Sequence, residues 1–324
     1  MMPALEQIRG KRVIVVGDVV LDHYVIGDVE RISPEAPVPV VHVLRESDMP
    51  GAAANVAMNL AALDARPIMI GVVGDDADGA RLRELLQGSN VDCTYLAVCN
   101  GTRTTRKTRI IARSQHVARV DWDTLLDAAA VERCGVIGAV EHALPACDAV
   151  IVQDYNKGLI RPEVIAALTT ATVPVVVDPN RYHAIRYRGT VATPNLEEAR
   201  VLSGAGVPGG EALDRLSEIA ECFFARHDIG HVVITLGDKG LALCAPDGTI
   251  KRCPVAKTFN VYDVSGAGDT VCAVLGAALA AGVDLWLACR LANMAGALVV
   301  GKMGTATTTR KEIQAVADDI GFTE

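Results

Sequence analysis

The sequence predicts an α/β fold: a doubly wound, mostly parallel sheet flanked by helices, with a small β-sheet lid. Three observations carry this. Short β-branched runs at 12–17, 67–73, 148–153, 173–177, 191–193 and 231–236 alternate with helical stretches, as parallel strands joined by crossover helices do. Several of these runs are almost wholly apolar, which suits strands buried on both faces. Two stretches, about 23–46 and 97–121, break the rhythm with strand-like segments and no helix between them. No linker or repeat divides the chain, so residues 1–324 read as one domain with these two lid segments.

The elements follow in order. Residues 12–17 end in Gly17-Asp18, where a central strand meets a ligand crevice. Three prolines at 34, 37 and 39 keep the first lid segment out of a sheet centre. A helix opens near Gly51 and runs to about Leu63, and another covers about 80–87 after Asp75, Asp76 and Asp78, which serve as cap and turn acids. The second lid segment holds the densest basic run, Thr102 to Arg109. Helices near 213–225, 267–281, 285–300 and 310–319 complete the chain, with a β-pair at 241–244 and 249–255.

Composition narrows the function. Half of the 324 residues are hydrophobic and only 4% aromatic, so the core is built of Ala, Val, Leu and Ile. A net charge of −8 argues against nucleic acid or an anionic membrane as the main partner. Nine Cys without a Cys-x-x-Cys pair read as reduced thiols of a cytoplasmic protein. The longest apolar run, 271–283, is too short to span a bilayer, and no signal segment opens the chain. His227 and His231 are four apart, but Gly230 interrupts the helix a metal pair would need.

The chemistry centres on Asp263-Val264-Ser265-Gly266-Ala267-Gly268-Asp269-Thr270. Gly266 and Gly268 permit a tight turn, and the amides of Gly266, Ala267 and Gly268 then converge with the helix dipole as an anion hole. A carboxylate beside such a hole repels phosphate, so Asp269 makes sense as the base that takes a proton from an attacking hydroxyl. Asp18 and Asp22 suit sugar hydroxyls. Asn55, behind the small residues from Gly51 on, offers a donor and an acceptor to the same ligand. Lys107, Arg103 and Arg109 would hold the phosphate of a sugar phosphate. Asn195 and Glu198, three apart at a helix start, suit hydrated Mg²⁺ and equally suit a helix cap.

These strings resemble the ribokinase/PfkB family of sugar kinases. The octet is similar to its second signature, Gly51–Ala57 to its first, and Asn195-x-x-Glu198 to its metal-side motif. Arg31-Ile32-Ser33-Pro34-Glu35-Ala36-Pro37-Val38-Pro39-Val40 and Asp154-Tyr155-Asn156-Lys157-Gly158 resemble heptose-7-phosphate kinases in particular. The resemblance implies ATP as phosphoryl donor, with Thr235, Gly237, Gly240, Gly268, Asn195 and Asn293 on the nucleotide side. It implies Asp154 and Lys157 on the sugar side, Mg²⁺, and a monovalent cation such as K⁺ near Asp263 and Ser265. It implies a homodimer paired through the lid sheet. The implied reaction is phosphorylation of the anomeric hydroxyl of D-glycero-β-D-manno-heptose 7-phosphate. Ala52, Asn156 and Asn180 depart from the family pattern, with Arg181 a candidate to replace the charge missing at Asn180. They favour the alternative of a kinase for ribose, fructose or fructose 6-phosphate. A binding protein without turnover is the alternative of another class.

Overall fold

The computed structural model describes residues 2–113, 115–255 and 263–322. Thirteen strands form two sheets. They are β1 (Arg12–Gly17), β2 (Val19–Ile32), β3 (Pro39–Ala52), β4 (Arg66–Gly74), β5 (Asp92–Cys99), β6 (Arg106–Ala112) and β7 (Gln115–Trp122). There follow β8 (Ala149–Gln153), β9 (Val175–Asp178), β10 (Arg188–Ala192), β11 (Asp228–Thr235), β12 (Leu241–Cys244) and β13 (Ile250–Cys253).

The larger sheet has the order β13-β12-β11-β10-β9-β8-β1-β4-β5. It is parallel from β5 to β11, with β12 and β13 antiparallel at one edge. The chain leaves β1 toward β4 and β5, then returns to β8 on the other side. That reversal makes the carboxyl ends of β1 and β8 a topological switch point, where such sheets form a ligand crevice. Gly17-Asp18 and Gln153-Asp154 stand there.

Alternation along β1 builds a core on each face. Val13 and Val15 join one apolar cluster with helices Ala53–Ala62, Ala267–Ala280 and Leu285–Val299. Ile14 and Val16 join the other, with helices Val136–Ala143 and Leu216–Arg226. Small residues on Ala267–Ala280 let it lie close to the sheet: a Cβ on Gly276 would stand 2.6 Å from Ile151 Cδ1. Close seating of this helix fixes the height of its first turn above the crevice.

The lid sheet has the order β3-β2-β6-β7. β2 and β6 run parallel, and the other two pairings are antiparallel. It differs from expectation at its bounds. Residues 97–99 belong to β5 in the main sheet, and the lid resumes only at Arg106. The hairpin strands β2 and β3 each span 14 residues, so they reach from the crevice into the lid without a break. Main-chain pairing over that length overrode the local signals at 23 and 46. Asp76 caps the helix Ala77–Gly88 through Gly79 N at 2.8 Å, as its position predicts.

Ala52 ends β3 with φ 54° and ψ −130°, a region open in practice only to glycine. Replacing it by glycine is expected to raise stability by about 1 kcal/mol, seen as a melting temperature about 2–4 °C higher. An unchanged melting temperature would mean that the methyl's packing offsets the backbone strain.

Candidate active site

Helix Ala267–Ala280 begins at Gly266, whose φ of 77° turns the chain into the helix. A Cβ at Gly266 would stand 2.6 Å from Asn55 Nδ2, so a side chain is excluded by space as well as by angle. Among the described residues, the amides of Gly266, Gly268 and Asp269 have no protein acceptor. The Ala267 amide differs from expectation: it donates to the Val264 carbonyl at 3.3 Å, closing the turn. The amides left open for an anion are therefore those of Gly266, Gly268 and Asp269, with Ala267 closing the turn.

Asp269 is buried and faces three donors. Asn55 Nδ2 donates to its Oδ2 at 2.8 Å. Gln153 Nε2 and the Tyr155 hydroxyl donate to its Oδ1 at 2.9 and 3.0 Å. Burial raises the Asp269 carboxyl to about 6, against the lowering effect of the Asn55 and Tyr155 hydrogen bonds. It is thus ionised at neutral pH, yet a far better proton acceptor than a surface aspartate. Asn55 is oriented from behind: its Oδ1 accepts from Asn59 Nδ2 at 3.2 Å, and Asn59 Oδ1 accepts from Thr270 Oγ1 at 3.1 Å. Asn55 is fully buried, so its amide aims the carboxylate rather than standing free for sugar hydroxyls.

The two aspartates after β1 separate in role. Asp18 turns inward and accepts the backbone amides of Tyr155, Lys157 and Leu159 at 3.0, 2.9 and 3.1 Å. Its carboxylate holds the loop that delivers Tyr155, a structural role beside the sugar contact expected of it. Burial raises its carboxyl to about 6 as well. Asp22, one turn of β2 further on, pairs with Arg109 and lies over Gly51, where any Cβ would collide with its carboxylate. Gly51 therefore makes room for Asp22. Asp154 is also held by the fold: it accepts from His183 Nδ1 at 2.6 Å, the Tyr187 hydroxyl at 2.7 Å and Asn156 N at 2.7 Å.

The basic residues divide likewise. Lys107 stands 5.3 Å from the centre of the Tyr155 ring, and burial lowers its ammonium. It is the lid cation next to Asp269. Arg109 reaches Asp22 and lies 5.4 Å from the Tyr24 ring. Arg103 is exposed, lies 5.2 Å from the Trp122 ring and lines a small cavity with Asp18 and Lys157. Lys157 pairs with Asp123 at 2.7 Å. The departures have local explanations. Asn156 takes φ 54°, which asparagine tolerates, and Asn180 Oδ1 caps Tyr182 N at 3.0 Å. Arg181 stacks on Tyr182 at 4.8 Å, so nothing supports it as a stand-in at the sugar.

Next to the turn lies a cavity of about 340 Å³, lined by Thr235, Gly237, Gly240, Gly268, Asn293 and apolar neighbours such as Leu241 and Val300. It gathers five of the six residues expected on the nucleotide side. Its size and greasy walls suit a flat heterocycle. Asn293, which lines it, donates from Nδ2 to the Pro254 carbonyl at 2.8 Å. Asn195, the sixth, forms a capping box with Glu198: Glu198 N donates to Asn195 Oδ1 and Asn195 N to Glu198 Oε2, both at 2.9 Å. Asp263 accepts from Ser265 N at 2.9 Å and Gly304 N at 3.1 Å, stitching the turn to the 301–306 loop.

Gln153, Tyr155 and Asp178 were not singled out in the sequence. Gln153 Nε2 bridges Asp269 and Asp178. Tyr155 lay inside a motif quoted for its neighbours. Asp178 closes a strand ahead of Pro179, a signal that could have marked it as a rim residue.

A doubly wound sheet with a lid, and a glycine-opened helix aiming a buried carboxylate beside bare amides, define a kinase of small hydroxylated molecules. The sequence matches the pfkB family carbohydrate kinases over residues 11–312, and the chain belongs to that family. Among solved structures, the crystal structure of a putative ribokinase from Agrobacterium tumefaciens superposes with a TM-score of 0.77 at 22% identity, covering 97% of this chain and 100% of that one. Phosphofructokinase-2 from Escherichia coli, in complex with substrates and products, gives 0.76 at 16% identity, over 96% and 99%. At these identities the likeness is one of fold. Curated relatives are nearer. The D-beta-D-heptose 7-phosphate kinase of Bordetella bronchiseptica is 42% identical over 311 residues, covering 95% of this chain and 96% of that protein. The bifunctional protein HldE of Rhodospirillum rubrum is 40% identical over 322 residues, but the chain spans only 64% of that protein's length.

Proposed function

We propose that the chain transfers the γ-phosphoryl group of ATP to the anomeric hydroxyl of D-glycero-β-D-manno-heptose 7-phosphate, giving the 1,7-bisphosphate. The relatives' names support the substrate. One observation carries the reading at the level of chemistry: Tyr155 touches both Lys107 of the lid, through its ring, and Asp269, through its hydroxyl, so a cation suited to a sugar's phosphate shares a neighbour with a base suited to its hydroxyl. Asp269 takes the hydroxyl proton, and the amides at 266, 268 and 269 receive charge on the transferred group. Lid closure excludes water from the ATP. The nucleotide lies in the cavity around Gly237 and Asn293.

Among the described residues no cluster of three or more metal-ligating side chains exists. Glu198, with its half-buried carboxyl raised by burial, fits a Mg²⁺ held mainly by water and phosphate, with Asn195 beside it. Such an ion would screen phosphate charge. Asp263 and the turn it stitches fit a monovalent cation less directly, since both carboxylate oxygens already accept amides. Exposed Ile32, Val43, Leu44 and Val120 on the lid strands favour pairing with a second copy. No helix among the described residues is long and apolar enough to cross a membrane. A cytoplasmic place fits the free thiols.

The test is ADP release with a panel of sugars. Heptose 7-phosphate is expected to give the highest kcat/KM, and ribose or fructose 6-phosphate matching it would overturn the substrate. Lys107→Ala is expected to raise KM for the sugar phosphate by about tenfold or more and to leave KM for ATP nearly unchanged. Equal changes in both would remove Lys107 from the phosphate.

A further inference from the structure

Gln153 ends β8 with its side chain wholly buried between two carboxyls. Its Nε2 donates to Asp269 Oδ1 at 2.9 Å and to Asp178 Oδ2 at 2.7 Å, which uses both amide hydrogens. Its Oε1 is buried with no partner among the described residues. A reversed amide would set Oε1 against both carboxyls and would need a proton on each, so the ionised state of Asp269 fixes the orientation. An unpaired buried oxygen is unfavourable. The side chain therefore holds its place through its two donations.

The donors around Asp269 are unevenly shared. Oδ1 accepts two, from Gln153 and Tyr155, while Oδ2 accepts one, from Asn55. With about two lone-pair sites per carboxylate oxygen, Oδ1 is full and Oδ2 keeps one open. We propose that Gln153 is a positioning residue for the base, pinning Asp269 Oδ1 through an anchor on Asp178 and leaving Oδ2 as the oxygen that takes the proton. This rests on the reading of Asp269 as base and makes it specific to one atom. In the step, the substrate O–H bond breaks and its proton goes to Oδ2. The freed electron pair forms the O–P bond, and the bond from phosphorus to the bridging oxygen breaks with its pair leaving on ADP. Gln153 itself exchanges no proton.

Asp178 is suited to the anchoring role. Its Oδ1 meets Thr193 Oγ1 at 3.2 Å, and burial, with Glu198 and Asp269 nearby, holds its carboxyl well above the usual range. Thr193 donates to Oδ1, which leaves Oδ2 to accept from Gln153. The charged and titratable groups facing Asp269 are then Asp178 from β9, Asp22 from β2, Lys107 from β6, Tyr155 after β8 and the buried thiol of Cys272 on its own helix.

The experiment compares the pH profile of kcat/KM for the intact chain and for Gln153→Met, which keeps length and loses the amide. Gln153→Met is expected to lower kcat by about ten- to a hundredfold, the loss of one hydrogen bond to a charged group. Its acid limb should move to higher pH, because the ionised base loses a donor, while KM for ATP stays within about twofold. Should Gln153→Met not fold, Gln153→Glu serves. It adds a negative charge beside Asp269 and should move the limb upward further. A folded variant with the parent's limb and kcat would show that Gln153 only fills space. Asp269→Asn in the same assay separates the two ideas. Retained turnover there rejects the base itself, whereas lost turnover with an unmoved Gln153→Met profile rejects only the positioning.

Discussion

Asp269→Asn is expected to lower turnover by roughly 10²–10⁴ and to leave nucleotide binding nearly intact. The site explains why the loss is chemical. All three partners of the carboxylate are donors. An asparagine can turn its oxygen to Gln153 and Tyr155, but its amide then meets the Asn55 amide, and no lone pair remains for a substrate proton. The cavity proposed for the nucleotide is lined by other residues and should keep its shape. The assay is ADP release beside ADP binding. Undiminished ADP release would remove Asp269 from the chemistry. The intact chain should also show an acid limb in kcat/KM. Since burial raises the carboxyl to about 6, protonation there removes the base, so activity should fall as pH drops through about 6 and hold above it.

Gly266→Ala should be the most damaging of the small substitutions. It forces a side chain into φ 77° and places a methyl 2.6 Å from Asn55 Nδ2. The angle alone costs about 1–3 kcal/mol. Displacing Asn55 also frees Asp269 Oδ2 from its donor, so we expect at least tenfold lower kcat together with a lower melting temperature. Gly268→Ala is the contrast. A Cβ there meets nothing within 4 Å, and helix propensity favours alanine by about 0.5–1 kcal/mol. It should keep its melting temperature and raise KM for ATP, since Gly268 lines the nucleotide cavity. Equal melting temperatures for both variants would mean that the turn is not built as described.

The contrast shows what local pattern can reveal. Gly266, Gly268 and Asp269 are neighbours in the chain, and one turn of helix fixes how they face each other. Their grouping was therefore readable from spacing, as was the cluster of turns around Gly237 and Gly240. The capping acid Asp76 was readable for the same reason. Asn195 and Glu198 show the limit, because one spacing serves a cap and a metal motif alike, and the hydrogen bonds observed are those of a cap.

Asp18 and Asp22 show a harder limit. Both follow the first strand, and both are buried carboxylates. Only the loop from Tyr155 to Leu159, more than 130 residues away in the chain, decides that Asp18 is a clamp. Only Arg109, brought alongside by the parallel pairing of β2 with β6, decides that Asp22 faces the lid.

By itself the sequence determined the class of fold, the turn that opens the helix at Gly266, and the carboxylate at 269, because each depends on periodicity or on neighbours a few residues apart. The tertiary structure alone decided what surrounds that carboxylate. Asn55, Gln153 and Tyr155 come from a helix, a strand end and a loop that share no local signal, and they meet because the order β9-β8-β1 and the close seating of an alanine-rich helix bring their tips to one point. Long-range packing sets such meetings, and each chosen donor is selected by the desolvated charge it must satisfy.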